Sequence, residues 1–233
     1  MAARRPSPGS ARLADVARAA GVSAMTVSRA LRMPGRVATE TRARIDEAVR
    51  ALGYVPNLVA GALRSQRSRI VVAIVPTLTS AIFAETVEGM TEALREQGYQ
   101  LLLANSGYAA GTEESLVTAF LGRRPDGMIL TGTQHTPGAR AQLRAAGIPV
   151  VETWELAADP IDMNVGFSNR MAGHAHGGQR EVAREAHPAL TTVRVPGREM
   201  GRRAAEMILE RLAGGAPAPR LDLGFEVVLR ESA

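Results

Sequence analysis

Between residues 13 and 52 apolar side chains recur every three or four positions, the spacing that puts them on one face of a helix. Leu13, Val16, Ala17 and Ala20 predict a short helix over 13–20, with Asp15 in its first turn, where the helix dipole favours an anion, and Gly21 ending it. Ser23 is a suitable N-cap for a second helix over 24–31. A third is predicted from about residue 39 to 52, with Ile45, Ala48, Val49 and Leu52 inward and Gly53 as its C-cap. Arg12 and Ala38 stand where capping residues are expected, and Thr39 offers a hydroxyl in place of Ala38. Two helices joined by a glycine-containing turn and covered by a third form a helix-turn-helix unit. A small helical hairpin with no DNA role would show the same periodicity.

From residue 70 the pattern changes to short apolar runs separated by amphipathic segments. Ile70-Val-Val-Ala-Ile-Val reads as a buried parallel strand, followed by a loop at Pro76 and by a helix over 83–97 with Phe83, Val87, Met90 and Leu94 on one face. Strands over 100–104, 127–130 and 149–152 then alternate with helices over 112–122 and 138–146. Such alternation predicts a doubly wound α/β lobe whose ligands sit beyond the carboxyl ends of its strands. A last helix over 197–212 and a strand over 223–229 follow, while 174–186 reads as an irregular junction.

Charge divides the chain at the same place. All 28 basic residues are Arg; residues 1–69 hold thirteen of them against Asp15, Glu40, Asp46 and Glu47, a balance of +9, which leaves −4 for the rest. A basic head on a mildly acidic body points to a polyanion partner for the head alone. The absence of Cys excludes a disulfide scaffold, a thiol nucleophile and a thiolate metal site, and the absence of Lys excludes Schiff-base and P-loop chemistry. There is no Gly-x-Gly-x-x-Gly or Gly-x-Ser-x-Gly sequence. His174 and His176 lack further ligands at metal spacing, and His135 and His187 stand alone near prolines. No catalytic site, cofactor or metal is expected, and no stretch is apolar and long enough to span a bilayer or to act as a secretory signal.

The run Leu13-Ala-Asp-Val-Ala-Arg-Ala-Ala-Gly-Val-Ser, with Thr26-Val-Ser-Arg-Ala-Leu, Thr41-Arg-Ala-Arg-Ile and Leu52-Gly-Tyr-Val-Pro-Asn at the right spacing, resembles the lactose-repressor (LacI) family of bacterial transcription regulators. The resemblance implies that the second helix enters the major groove of operator DNA. Ala24 and Met25 then occupy the positions that choose the operator; both are apolar and can meet a thymine methyl group, whereas Arg29 can read guanine O6 and N7. Thr26 and Ser28 carry hydroxyls suited to phosphate oxygens, and simple capping or solvation would use the same hydroxyls. Tyr54 and Asn57 resemble further backbone contacts. Residues 57–69 are expected to be a hinge helix that orders on DNA and wedges Leu63 into the minor groove, with Arg64, Arg67 and Arg69 flanking it and Gly61 weakening the helix. The expected organisation is therefore a disordered arm over 1–12, a helix-turn-helix domain over 13–56, the hinge, and a periplasmic-binding-protein-like body over 70–233.

Within the body the resemblance sharpens toward the gluconate-repressor branch, through Ile74-Val-Pro-Thr-Leu-Thr, Leu130-Thr-Gly-Thr-Gln-His-Thr-Pro, Gly147-Ile-Pro-Val-Val-Glu and Val165-Gly-Phe-Ser-Asn. It implies relief of repression by a sugar or sugar acid held between two lobes. Thr77, Thr79, Phe83, Thr131, Thr133, Asn169 and Arg170 are the candidate effector contacts, Arg170 for a carboxylate; each is equally well read as a loop or cap residue. Ser168 stands where the family usually has Asp. After residue 173 most of the expected second lobe is missing, and 164 residues from 70 onward suit one lobe better than two. Effector sensing is accordingly expected to be impaired, and the 223–229 strand to lack a sheet. The implied protein is a cytoplasmic, nucleoid-associated homodimer on a palindromic operator, with the apolar face of 83–94 as its dimer contact; burial of that face within the lobe is the other reading. A sugar-binding protein without regulatory role and a non-functional repressor remnant are the alternatives.

Overall fold

The computed structural model describes residues 11–55, 67–168 and 192–230. The chain divides into two compact units, residues 1–66 and 67–233.

The first unit is helical. Helix α1 spans Leu13–Ala20, α2 spans Ala24–Arg32, and α3 spans Thr39–Leu52, with a 3-10 turn at Pro34–Arg36 between the last two. Gly21 ends α1 in the left-handed region (φ 64°), and Val22 N–H returns to the Ala17 carbonyl at 3.0 Å, so one glycine both stops the helix and satisfies its last carbonyls. At the other end of α1 the Asp15 carboxylate accepts the Arg12 N–H at 2.9 Å, a cap supplied from inside the helix where Arg12 has no acceptor to offer. Thr39 does not replace Ala38: Ala38 is the N-cap and makes no side-chain bond. Val16, Ala17, Ala20, Val27, Ala30, Ile45 and Ala48 form the core, small enough that each helix contributes two or three side chains.

The second unit is built on a six-stranded parallel sheet: β1 Ile70–Val75, β2 Gln100–Asn105, β3 Gly127–Thr131, β4 Val150–Glu155, β5 Met163–Phe167 and β7 Arg220–Asp222, in the order β2-β1-β3-β4-β5-β7. Helices α4 (Ala81–Glu96) and α7 (Gly197–Leu212) cover one face; α5 (Ala110–Leu121) and α6 (Pro137–Ala145) cover the other. Alternate residues of β1 feed the two cores, Val71 and Ala73 to one and Val72 and Ile74 to the other, which is why the run reads as apolar throughout. Helices α4 and α7 cross in backbone contact. A Cβ on Gly89 would lie 2.0 Å from the Arg198 carbonyl oxygen, and one on Gly201 1.9 Å from that of Thr86.

Three expectations are corrected here. The apolar face of residues 83–94 is not a dimer surface: Phe83, Met90 and Leu94 are buried, the last two in the core shared with α7, and Val87 is half-buried. The 223–229 strand does not form as one piece. Gly224 (φ 63°) breaks the segment; β7 before it extends the main sheet beside β5, and β8 (Glu226–Val228) after it pairs antiparallel with β6 (Thr192–Arg194), so neither is left without a partner. Arg67 and Arg69 belong to the body rather than to a groove-facing hinge. Arg67 donates to the Leu212 carbonyl (2.5 Å) and Arg69 to that of Gln97 (2.9 Å), the latter with its guanidinium 5.2 Å from the Tyr99 ring centre. Both cations thus sit on carbonyls at helix C-termini, where the dipole favours them.

Candidate nucleic-acid interface and ligand cleft

In the helical unit α2 presents the candidate reading residues. The Ser23 hydroxyl accepts the Thr26 N–H (3.1 Å) and lies 2.9 Å from the Thr26 hydroxyl, fixing the first turn. Val27 and Ala30 face the core, so the helical period turns Ala24, Met25 and Arg29 outward; all three are exposed, Met25 by 59%. Thr26 and Ser28 are half-buried beside them. Among the described residues no ion pair or hydrogen bond engages the guanidinium groups of Arg29, Arg36 or Arg44, whereas Arg18 and Arg42 are drawn to Asp15 (3.4 Å) and Asp46 (3.6 Å). The surface thus offers a rigid apolar tip, an uncommitted guanidinium one turn later and two hydroxyls. That is a set able to meet a base edge and a phosphate together. Tyr54 follows the α3 cap and packs against the core, its ring half-buried. Asn57, Leu63 and Arg64 lie outside the described residues.

In the second unit a cavity of about 360 Å³ opens where β1, β2, β3 and β4 end. This is the switch point of a doubly wound sheet: β1 lies between β2 and β3, and the connections leave it in opposite directions. Of the candidate effector residues, Phe83, Thr131 and Thr133 line it. Thr77 and Thr79 do not; their hydroxyls pair at 2.9 Å in the loop after β1. Asn169, Arg170, His174, His176 and His187 lie outside the described residues.

The cavity also contains residues that helical or strand periodicity does not mark: Tyr108, Glu113, Trp154 and Glu155. Trp154, the penultimate residue of β4, has φ 79°, a left-handed conformation unusual for a side chain of this size. Its sheet neighbour is Gly166, where a Cβ would lie 2.9 Å from the Trp154 carbonyl carbon; the missing side chain leaves room for the bend. The indole packs edge-on to Phe83 (5.0 Å) and Phe167 (6.1 Å).

Behind the cavity His135 is not alone. Its imidazole is wholly buried, with Nδ1 2.6 Å from Glu113 Oε1 and Nε2 3.4 Å from Glu152 Oε1. Burial by itself would lower the imidazole pKa; hydrogen bonding to Glu113 and then Glu152, with charge attraction to both, outweighs it and raises the pKa to about 9. Arg140, 3.5 Å from Glu152, and the Ile161 N–H, 2.6 Å from its other oxygen, complete the neutralisation. The only sequence hint was that His135 follows a cavity-lining loop.

Residues 12–57 match the family model described as bacterial regulatory proteins, lacI family, and residues 68–187 match periplasmic binding proteins and sugar binding domain of LacI family. The chain belongs to the LacI family. Residues 177–233 further match a periplasmic binding protein-like domain. Among LacI-family relatives, the HTH-type transcriptional regulator GntR of Pseudomonas aeruginosa is 42% identical over 163 residues, 70% of this chain and 48% of that one. The regulator IdnR of Escherichia coli is 39% identical over 69% of this chain and 48% of its own. The chain therefore spans about half the length of the curated relatives it matches. A LacI-family regulator from Silicibacter pomeroyi superimposes with a TM-score of 0.84 at 27% identity, covering 95% of this chain and 98% of that one. The lac repressor dimer bound to operator and an anti-inducer superimposes at 0.79 with 16% identity, covering 95% of this chain and 98% of that one, a likeness of fold.

Proposed function

We propose that this LacI-family chain is a sequence-specific DNA-binding regulator of the bacterial cytoplasm, a repressor whose affinity for its operator responds to a small polyhydroxylated ligand. The observation that carries the reading is the outward face of α2, where Ala24, Met25 and Arg29, the last unpaired among the described residues, stand on a helix fixed by Ser23 and backed by its own core. One such helix reads half a site, so the protein acts as a homodimer on a palindrome. Thr26 and Ser28 set the register on phosphates, Tyr54 and Asn57 add backbone contacts, and Leu63 wedges the minor groove. The reading assigns no catalytic step. Among the described residues no group of three His, Cys, Asp or Glu side chains could hold a metal, and no helix is long and apolar enough to cross a membrane.

The cleft beyond the strand ends is the sensor. Asn169 and Arg170, outside the described residues, are kept as candidate effector contacts, Arg170 for the carboxylate of a sugar acid. A cavity lined from one lobe holds its ligand from one side, so affinity should be weak. The test is a fluorescence-anisotropy titration of the full chain on a palindrome selected from random sequence and on its scrambled counterpart, at two salt concentrations. Tight binding to the selected site alone, weakening as salt rises, supports the regulator. Equal binding to both duplexes, or none, contradicts it. In that case a sugar-binding protein or a remnant is the better description.

A further inference from the structure

The cleft carries a chemical signature of its own. Among the described residues lining it, Glu113 and Glu155 are the only charged side chains. Glu113 is fixed from behind: Oε1 is held by His135 Nδ1 at 2.6 Å, and Oε2 makes no hydrogen bond among the described residues. Among the described residues the Glu155 carboxylate is hydrogen-bonded by the Thr133 hydroxyl alone, at 3.4 Å. Both are acceptor-only groups when ionised. Opposite in character is Trp154, whose indole N–H is buried with no partner among the described residues, an orphan donor that a ligand oxygen would satisfy. A ligand carboxylate placed against Glu113 and Glu155 would set acceptor against acceptor and like charge against like; hydroxyl groups can donate to both and accept from the indole.

Resting on the reading of this cleft as the sensor, we propose that its floor binds the hydroxyl-bearing end of a polyol or sugar acid, with Glu113 and Glu155 as acceptors and Trp154 Nε1 as donor, so that any ligand carboxylate points away from the floor. His135 is the positioning residue. Clamped between Glu113 and Glu152, it fixes the rotamer of Glu113, and Arg140 and the Ile161 N–H fix Glu152 in turn. Glu114 on the same helix bonds the Thr136 hydroxyl at 2.6 Å and so anchors the lining loop one residue beyond His135.

The chain contains one Trp, and it is in the cleft, so ligand binding can be read from intrinsic fluorescence. The experiment titrates the full chain with D-gluconate and with the neutral D-glucitol, in wild type, Glu113→Gln and Glu155→Gln. The expected result is that both compounds change the emission, with affinities within a few fold of each other, and that each substitution weakens both by about tenfold. Tighter gluconate binding in either variant would place the carboxylate on the floor and overturn the proposal, as would unchanged affinities in both. Glu155→Gln keeps the test open if loss of the His135 contact disturbs folding in Glu113→Gln. No emission change with either compound would overturn the sensor reading itself along with this inference, which separates the two failures.

Discussion

The helical head and the α/β lobe handle charge in opposite ways. In the head the core is wholly apolar, and the candidate surface is cationic and exposed. In the lobe Glu113, His135, Glu152 and Asp126 are drawn inside, and the candidate site is concave and acidic. Arg67 and Arg69 show the contrast within one residue type. Counted with the head, they raise its positive charge, yet Asp126 binds the backbone N–H groups of Ser68 and Arg69 at 2.8 and 3.0 Å, and the two guanidinium groups sit on carbonyls of the lobe. A charge balance says that a segment favours a polyanion; only placement says which cations are available to it.

The largest way to break this comparison is to remove the charge buried in the lobe. His135 has its pKa raised from 6.5 to about 9, so the stability it contributes is fully present below pH 6.5 and is lost as pH rises through 9. The difference corresponds to about 3 kcal/mol. With no Lys or Cys in the chain, few other groups titrate between pH 7 and 10. Urea unfolding followed by Trp154 emission should therefore show the lobe weakening over that range, while head helicity should hold. A pH-independent lobe would mean that His135 is neutral.

Next in size is the helix crossing. Gly201→Ala forces a Cβ onto the Thr86 carbonyl and should destabilise the lobe by about 2 kcal/mol, visible as a lower urea midpoint, without altering non-specific DNA affinity. The smallest effect sharpens the head. Ser23→Ala removes the α2 cap and should cost about 1 kcal/mol in the head's thermal unfolding, leaving the lobe's transition in place.

These two regions were also unequally legible. The head's three helices appear where periodicity puts them, because each is short and amphipathic; Gly21 ends α1, Ser23 caps the start of α2 and Gly53 ends α3. In the lobe β1 and α7 were read with the bounds they have, since an unbroken apolar run and a long amphipathic face are local signals. Three strands were missed. Met163–Phe167 is interrupted by Asn164 and Gly166, and the three-residue strands Thr192–Arg194 and Arg220–Asp222 are too short to carry a period. Asn164 is tolerated at a buried strand position because its amide bonds the carbonyls of Glu152 (3.0 Å) and Glu155 (2.8 Å) and accepts the Ala157 N–H, a set of partners no local window reveals. The cleft was half legible for the same reason. Thr131 and Thr133 announce themselves by standing at and just beyond the end of a strand. Glu113, His135 and Glu152, by contrast, come from a helix, a loop and a strand, and meet only when the sheet assembles.

The central claim is that α2 reads sequence through Arg29, a cation uncommitted among the described residues. It is tested most directly by measuring the base preference of wild type and Arg29→Ala at every position of the selected palindrome, by competition with single-base variants. The account predicts that Arg29→Ala abolishes about 1 to 3 kcal/mol of discrimination at one guanine in each half-site and leaves the other positions unchanged. A uniform loss of affinity across all positions would instead make Arg29 a phosphate contact and contradict the claim.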